Sequence, residues 1–292
     1  RTSLMVSIRS PARIMNLSRT QSAVPLSLIA LSMPWRNAGV PSVMRILGKR
    51  FLIVTAHPDD ESYLAAGTMV KNADAGGENF VFCATLGERG KAHLRKECSP
   101  TELKRIRKRE LECVSECLCV ARLCLCGLPD GAVSERKHRA ALQKKLAAFA
   151  KQVKPDIILG FGQDGISGHL DHIAVGEAAE ALAKKLRLPY LAFCMPPQLQ
   201  GTHGIRSLIR RRAHGVYAKN HRALGSPDII IPIDGKKKLT ALKMHKSQLE
   251  HGDPFHNIPK AAARSWLRAE YFALRPFYPQ RNARQRGKSR VR

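Results

Sequence analysis

Four residues in the stretch Phe51 to Glu61, FLIVTAHPDDE, could do chemistry: His57, Asp59, Asp60 and Glu61. Three carboxylates beside one imidazole are costly as packing, because like charges repel. A cation resolves that repulsion, and His with Asp is a donor set suited to zinc. One His-Asp pair does not hold a metal, so a further ligand must come from elsewhere. Gly160 to His172, GFGQDGISGHLDH, offers His169, Asp171 and His172. Either cluster alone reads more readily as a surface or supporting feature. Together they could make an open three-ligand site, although chemistry alone does not say which of Asp59 and Asp60 would bind.

Both clusters follow short apolar runs. Phe51 to Thr55 has no polar alternation, the pattern of a strand buried on both faces, and Pro58 then turns the chain out of the sheet. Asp156 to Gly160 repeats the pattern ahead of His169. Further strands are expected at 80–84, 123–126, 189–194 and 228–233. Helices are expected at 61–75, at 101–118 with Thr101 as cap, at 139–152, at 173–186 and at 236–250 carrying His245 and Gln248. Alternation of this kind predicts an α/β, Rossmann-like fold, a mostly parallel sheet with helices on both faces. The site then lies at the carboxyl ends of the strands, where such sheets bind ligands.

At this point the residues carry a resemblance. AHPDDE followed by GHLDH resembles the LmbE/PIG-L family of zinc-dependent N-acetylglucosaminyl deacetylases. Thr85 to Gly90, Arg107 with Glu110, Leu128 to Gly131, and Lys243, His245, Ser247 and Gln248 resemble further family motifs in colinear order over about residues 50 to 278. The resemblance implies one Zn2+ per chain (or another divalent metal such as Fe2+) on His57, Asp60 and His172. It implies Asp59 as general base, His169 as oxyanion stabiliser and Asp171 as the group that orients that imidazole. Arg107 and Glu88, then Asp130 and His245, are implied as substrate-contacting or site-shaping residues. Two positions depart from the pattern: Leu170 stands where many members carry Pro, and Ser167 where some carry a Tyr that assists at the oxyanion. The expected substrate is a small amino sugar conjugate, one with an anionic group included, with the aglycone open.

The chain has 292 residues and a formal charge of +27. Residues 1–50 contribute seven Arg, one Lys and no acid, and residues 279–292 five Arg, one Lys and no acid. The middle therefore keeps +27 − 14 = +13. Residues 1–48 and 279–292 are expected to be disordered around a domain at 49–278, and Met44 would serve as an ordinary start. The apolar run Ala23 to Trp35 is too short to span a bilayer. The acid-free stretch also resembles a transit peptide, and its apolar run could pass for the apolar core of a signal peptide; the preferred expectation is that it does not belong to the natural product, which would start at Met44. The eight Cys form no paired framework, which fits a reducing cytoplasm, and the crowd from Cys113 to Cys126 reads as buried thiols on apolar patterns. The run Arg206 to His221 is either a solvated face or a basic rim over the site. Rival readings are a hydrolase of another amide or ester, and a basic nucleic-acid-binding protein with a vestigial metal site. No zinc-finger, RNP or helix-turn-helix signature supports specific nucleic-acid recognition. A homo-oligomer is compatible with the sequence.

Overall fold

A computed structural model describes residues 4–7, 46–94, 97–196, 227–256 and 258–275. Among the described residues, eight strands form one sheet: β1 Leu4–Ser7, β2 Arg50–Thr55, β3 Glu78–Thr85, β4 Val120–Leu128, β5 Ile157–Phe161, β6 Tyr190–Cys194, β7 Ile229–Pro232 and β8 Ala269–Arg275. Their spatial order is β1-β4-β3-β2-β5-β6-β8-β7. β2 to β6 are mutually parallel, and β1, β8 and β7 each pair antiparallel with a neighbour. The chain leaves β2 toward β3 and β4, then returns to pair β5 on the other side of β2. That reversal between β2 and β5 is the switch point where open α/β sheets leave a crevice. It is also where the two His/Asp clusters emerge.

Among the described residues the helices of five or more residues are α1 Asp60–Leu64, α2 Ala66–Asp74, α3 Pro100–Cys117, α4 Arg136–Val153, α5 Leu170–Leu186, α6 Gly235–Met244 and α7 Lys260–Arg268, with a short turn of helix at Gly165–Gly168 ahead of α5. α4 packs with α5, while α1, α2, α3 and α7 pack around α6, so the sheet is covered on both faces. Phe51 to Val54 of β2 are fully buried, as the unbroken apolar run requires. α5 lies close on β5 because Gly176 leaves room: a Cβ there would stand 2.4 Å from the Phe161 carbonyl oxygen.

Several boundaries differ from the sequence reading. The first helix breaks at Ala65 (φ −143°). The amides of Gly67 and Thr68 at the start of α2 donate to Glu270, which fixes a second helix start there. α3 is capped by Ser99, in a reciprocal capping box with Glu102, and Thr101 lies inside the helix. α5 begins at Leu170, so Asp171 and His172 belong to its first turn. The last long helix stops at Met244; His245 is its cap and Gln248 falls in a following 3-10 turn. β8 has no counterpart in the sequence reading, since it follows α7 with no break and carries the buried acid Glu270 in an apolar run.

The thiol reading holds in part. Cys124 and Cys126 are buried, whereas Cys113, Cys117 and Cys119 are exposed and all eight thiols are free. The inward face of α3 is already taken by Leu103, Arg107, Leu111 and Val114, which turns Cys113 and Cys117 outward. β1 places an edge strand against β4 inside a region for which no element was expected, satisfying main-chain groups that an open edge would leave unpaired. Residues 8–45, the run 206–221 and the 279–292 tail lie outside the described residues. Among the described residues, no helix is long and apolar enough to cross a membrane.

Candidate active site

The loop after β2 makes its turn around two carboxylates. Asp60 Oδ2 accepts from the backbone N–H of Ala56 (3.0 Å) and of His57 (2.8 Å). Asp59 sits at φ 109°, a region that side-chain-bearing residues rarely occupy. The loop after β5 delivers the other half. His169 caps α5, its Nδ1 accepting the Asp171 N–H at 3.1 Å. His172 stacks on Phe161, the last residue of β5, with ring centroids 4.1 Å apart.

The two halves meet. His57 Nδ1 lies 3.1 Å from His172 Nε2. The Asp60 oxygens lie 3.8 Å from the first and 3.5 Å from the second. The other nitrogen of each ring is already engaged: His172 Nδ1 with the Gly165 carbonyl oxygen (3.0 Å), His57 Nε2 with Asp130 (3.1 Å) and Asp171 (3.4 Å). Those partners are acceptors, so they draw the ring protons to themselves. Two imidazole lone pairs and a carboxylate are left converging on one point. Donors about 2.0–2.1 Å from a common tetrahedral ion stand roughly 3.3 Å from one another, close to the observed spacing. The donor set therefore fits a divalent metal. The nitrogens of His57, His169 and His172 also lie within 4.8 Å of one another.

Without a cation the charge is met by a proton. Burial would depress the His57 pKa, but Asp130 and Asp171 outweigh it and raise it to about 10. Burial and then that imidazolium lower His169 and His172 to about 3. Asp130 and Asp171 are opposed by burial, yet hydrogen bonding to His57 holds both below the ordinary carboxylate range. Burial raises Asp60 against the pull of His57. Asp59 is raised by burial to about 6, with Arg107 pulling the other way.

The remaining expected residues fall into two groups. Arg107 is buried and lines the cavity, donating to the Gly87 carbonyl (3.0 Å), to the Pro58 carbonyl and to Asp59 Oδ2 (3.3 Å). Gly87 (φ +66°) permits this: a Cβ there would stand 2.1 Å from the guanidinium. Asp130 also lines the cavity, but its carboxylate is spent on His57 and the Arg89 N–H. Glu88 Oε1 accepts the Asp130 N–H at 3.1 Å, and its buried Oε2 has no partner among the described residues. His245 does not line the cavity; it is buried against Glu61. The Asp171 carboxylate accepts from Gly131 and Val133 N–H and approaches His57, reaching His169 through its own main-chain N–H. It thus ties the 129–133 loop to the site. Sequence reasoning missed Phe161, and it missed that Tyr63, Leu64, Pro254, Ile258 and Trp266 line the cavity together with Lys91 and Gln248. Only the last residue of the β5 run and the lone Trp of α7 hinted at them.

Comparisons with known proteins bear on the family and the fold. Residues 52–183 match the PIG-L family, described as GlcNAc-PI de-N-acetylase. A probable N-acetyl-alpha-D-glucosaminyl L-malate deacetylase of Bacillus cereus is 31% identical over 233 residues, 77% of this chain and 96% of that protein. A 1D-myo-inositol 2-acetamido-2-deoxy-alpha-D-glucopyranoside deacetylase of Kineococcus radiotolerans is 26% identical, covering 81% of this chain and 77% of its own. In fold, the chain is similar to the N,N'-diacetylchitobiose deacetylase of Pyrococcus horikoshii (TM-score 0.53, 22% identity, 78% and 84% covered). It is also similar to a deacetylase of the teicoplanin biosynthesis pathway (TM-score 0.55, 16% identity, 77% and 96% covered). A curated relative 31% identical along nearly its whole length, together with the match at 52–183, means that the chain belongs to the PIG-L family.

Proposed function

We propose that this N-acetylglucosaminyl deacetylase works through one divalent metal, zinc, held by His57 Nδ1, His172 Nε2 and Asp60. The observation that carries the reading is the facing pair of imidazole nitrogens with a carboxylate beside it, an arrangement that repels itself unless a positive charge sits between. A divalent ion in such a site lowers the pKa of a water toward about 7 and polarises an amide carbonyl. Asp130 and Asp171 hold His57 from behind through Nε2, fixing the tautomer that presents Nδ1. Asp60 is anchored by two backbone amides and so stays in place.

Asp59 lines the cavity beside this set and is the general base that takes the proton of the attacking water and returns it to the leaving amine. Arg107 keeps its carboxylate ionised and aimed. His169 accepts at Nδ1, which places the ring proton on Nε2, and from there it donates to the developing oxyanion. Glu88 does not line the cavity; through Oε1 it accepts the Asp130 N–H and so shapes the loop that backs His57.

The substrate is an N-acetylglucosamine conjugate. Among the residues lining the cavity, Lys91 and Gln248 suit a polar or anionic group, and Tyr63 and Trp266 suit the apolar face of a ring. Eight free thiols fit a reducing compartment, so we place the enzyme in the cytoplasm. Acetate release from a panel of N-acetylglucosaminides, with and without chelator, tests the reading. Metal-dependent release from at least one is expected. Release that survives complete metal removal contradicts it.

A further inference from the structure

Behind Asp59 lies a buried pair that has no place in the ligand set. Glu61 and His245 are each 1% exposed and neither lines the cavity. Glu61 Oε2 accepts the backbone N–H of Asp59 at 3.0 Å. Glu61 Oε1 lies 2.8 Å from His245 Nε2 and accepts the Ser62 hydroxyl at 2.7 Å. His245 arrives from the end of α6, so one carboxylate ties the β2 loop to an element 184 residues away. His245 Nδ1 is buried with no partner among the described residues. A buried carboxylate is costly unless its oxygens are bonded; here Oε1 is held by His245 and Ser62, which leaves Oε2 fixed on the Asp59 N–H.

The Oε2 contact bears on the backbone of Asp59. At φ 109° and ψ −26° the residue holds a sparsely populated conformation, which persists only if its surroundings impose it. The Glu61 carboxylate supplies the acceptor that its N–H requires in that conformation. Arg107 grips the other end, at Pro58 O and Asp59 Oδ2. We propose that Glu61 and His245 are positioning residues for Asp59, setting where its carboxylate stands without touching substrate or metal. The inference rests on the reading of Asp59 as the proton carrier.

A double-mutant cycle tests it. In Glu61→Gln the single side-chain carbonyl cannot accept from the Asp59 N–H, the Ser62 hydroxyl and His245 together, so at least one of these contacts is lost or must reverse direction. The expected result is a kcat lower by on the order of 10-fold to 100-fold, with KM, metal content and melting temperature near wild type. In an Asp59→Asn background the same change should cost less than about 2-fold, because the group being positioned is gone. His245→Gln, which keeps a side-chain N–H donor, should retain more activity than His245→Ala. If Asp59→Asn has normal activity, the base reading fails and this inference with it. If Asp59→Asn is slow while Glu61→Gln matches wild type, positioning alone is overturned. Additive losses, or a Glu61→Gln that loses metal, also overturn it. Should Glu61→Gln not fold, the His245 pair carries the same cycle, and equal activity in His245→Gln and His245→Ala overturns the inference.

Discussion

His57 Nδ1 and His172 Nε2 face each other at 3.1 Å, with the second nitrogen of each ring already committed to an acceptor. That relationship converts two loops from opposite sides of a topological switch into one donor set. It also makes metal and proton competitors. His57 in the metal-free protein holds its proton up to about 10, so at pH 7 the ring is charged. Coordination requires the neutral ring, and that proton must leave. His172, lowered to about 3, is already neutral and releases none. Zinc titration at pH 7 in buffers of different ionisation enthalpy should report about one proton released per ion, or more. Zero release or uptake would mean that His57 is not charged in the metal-free site.

Asp59→Asn should keep the metal and fold while kcat falls roughly 10²-fold or more, since the amide cannot accept the water proton. Normal turnover in this variant would remove Asp59 from the chemistry.

The wild-type pH profile follows from the same group. Burial raises Asp59 to about 6, so it is mostly ionised at pH 7 and becomes protonated as the pH falls through that value. A protonated base accepts nothing, and kcat/KM should decline on the acid side. A cation in the ligand set adds to the pull of Arg107 and moves the midpoint to about 6 or below. A midpoint above pH 7 would point to a different base.

Stability should depend on a pair far from the chemistry. Lys238 Nζ lies 2.9 Å from Glu270 Oε1 with both side chains 1% exposed, and Glu270 also accepts the Gly67 and Thr68 amides. Glu270→Ala strands a buried ammonium and two amides, a loss of about 3–5 kcal/mol. Thermal melts should show a drop of roughly 6 °C or more. Replacing Lys238 by Met in the same chain should recover part of it. A melt within a degree or two of wild type would show that water reaches the site.

The legible part of this protein is the part written in contiguous residues. β2 and β5 read as buried strands because their apolar runs are unbroken, and Asp59, Asp60, His169 and His172 follow them directly. Those runs, together with the alternation of strands and helices along the chain, gave the parallel centre and the site's place at the strand ends. What stayed hidden depends on partners distant in sequence. Nothing near Asp130 says that its carboxylate turns to His57, and nothing near His245 says that it meets Glu61. β8 was hidden because burial of Glu270 is affordable only with Lys238 and the α2 amides around it. Periodicity reports that a face is buried, not what it is buried against.

The most direct measurement is metal content per chain, taken side by side on wild type, His57→Ala, Asp60→Asn, His172→Ala and Asp59→Asn. About one divalent ion is expected in wild type and in Asp59→Asn, and little in the other three. No metal in wild type, or loss in Asp59→Asn with retention in Asp60→Asn, would contradict the assignment of the site.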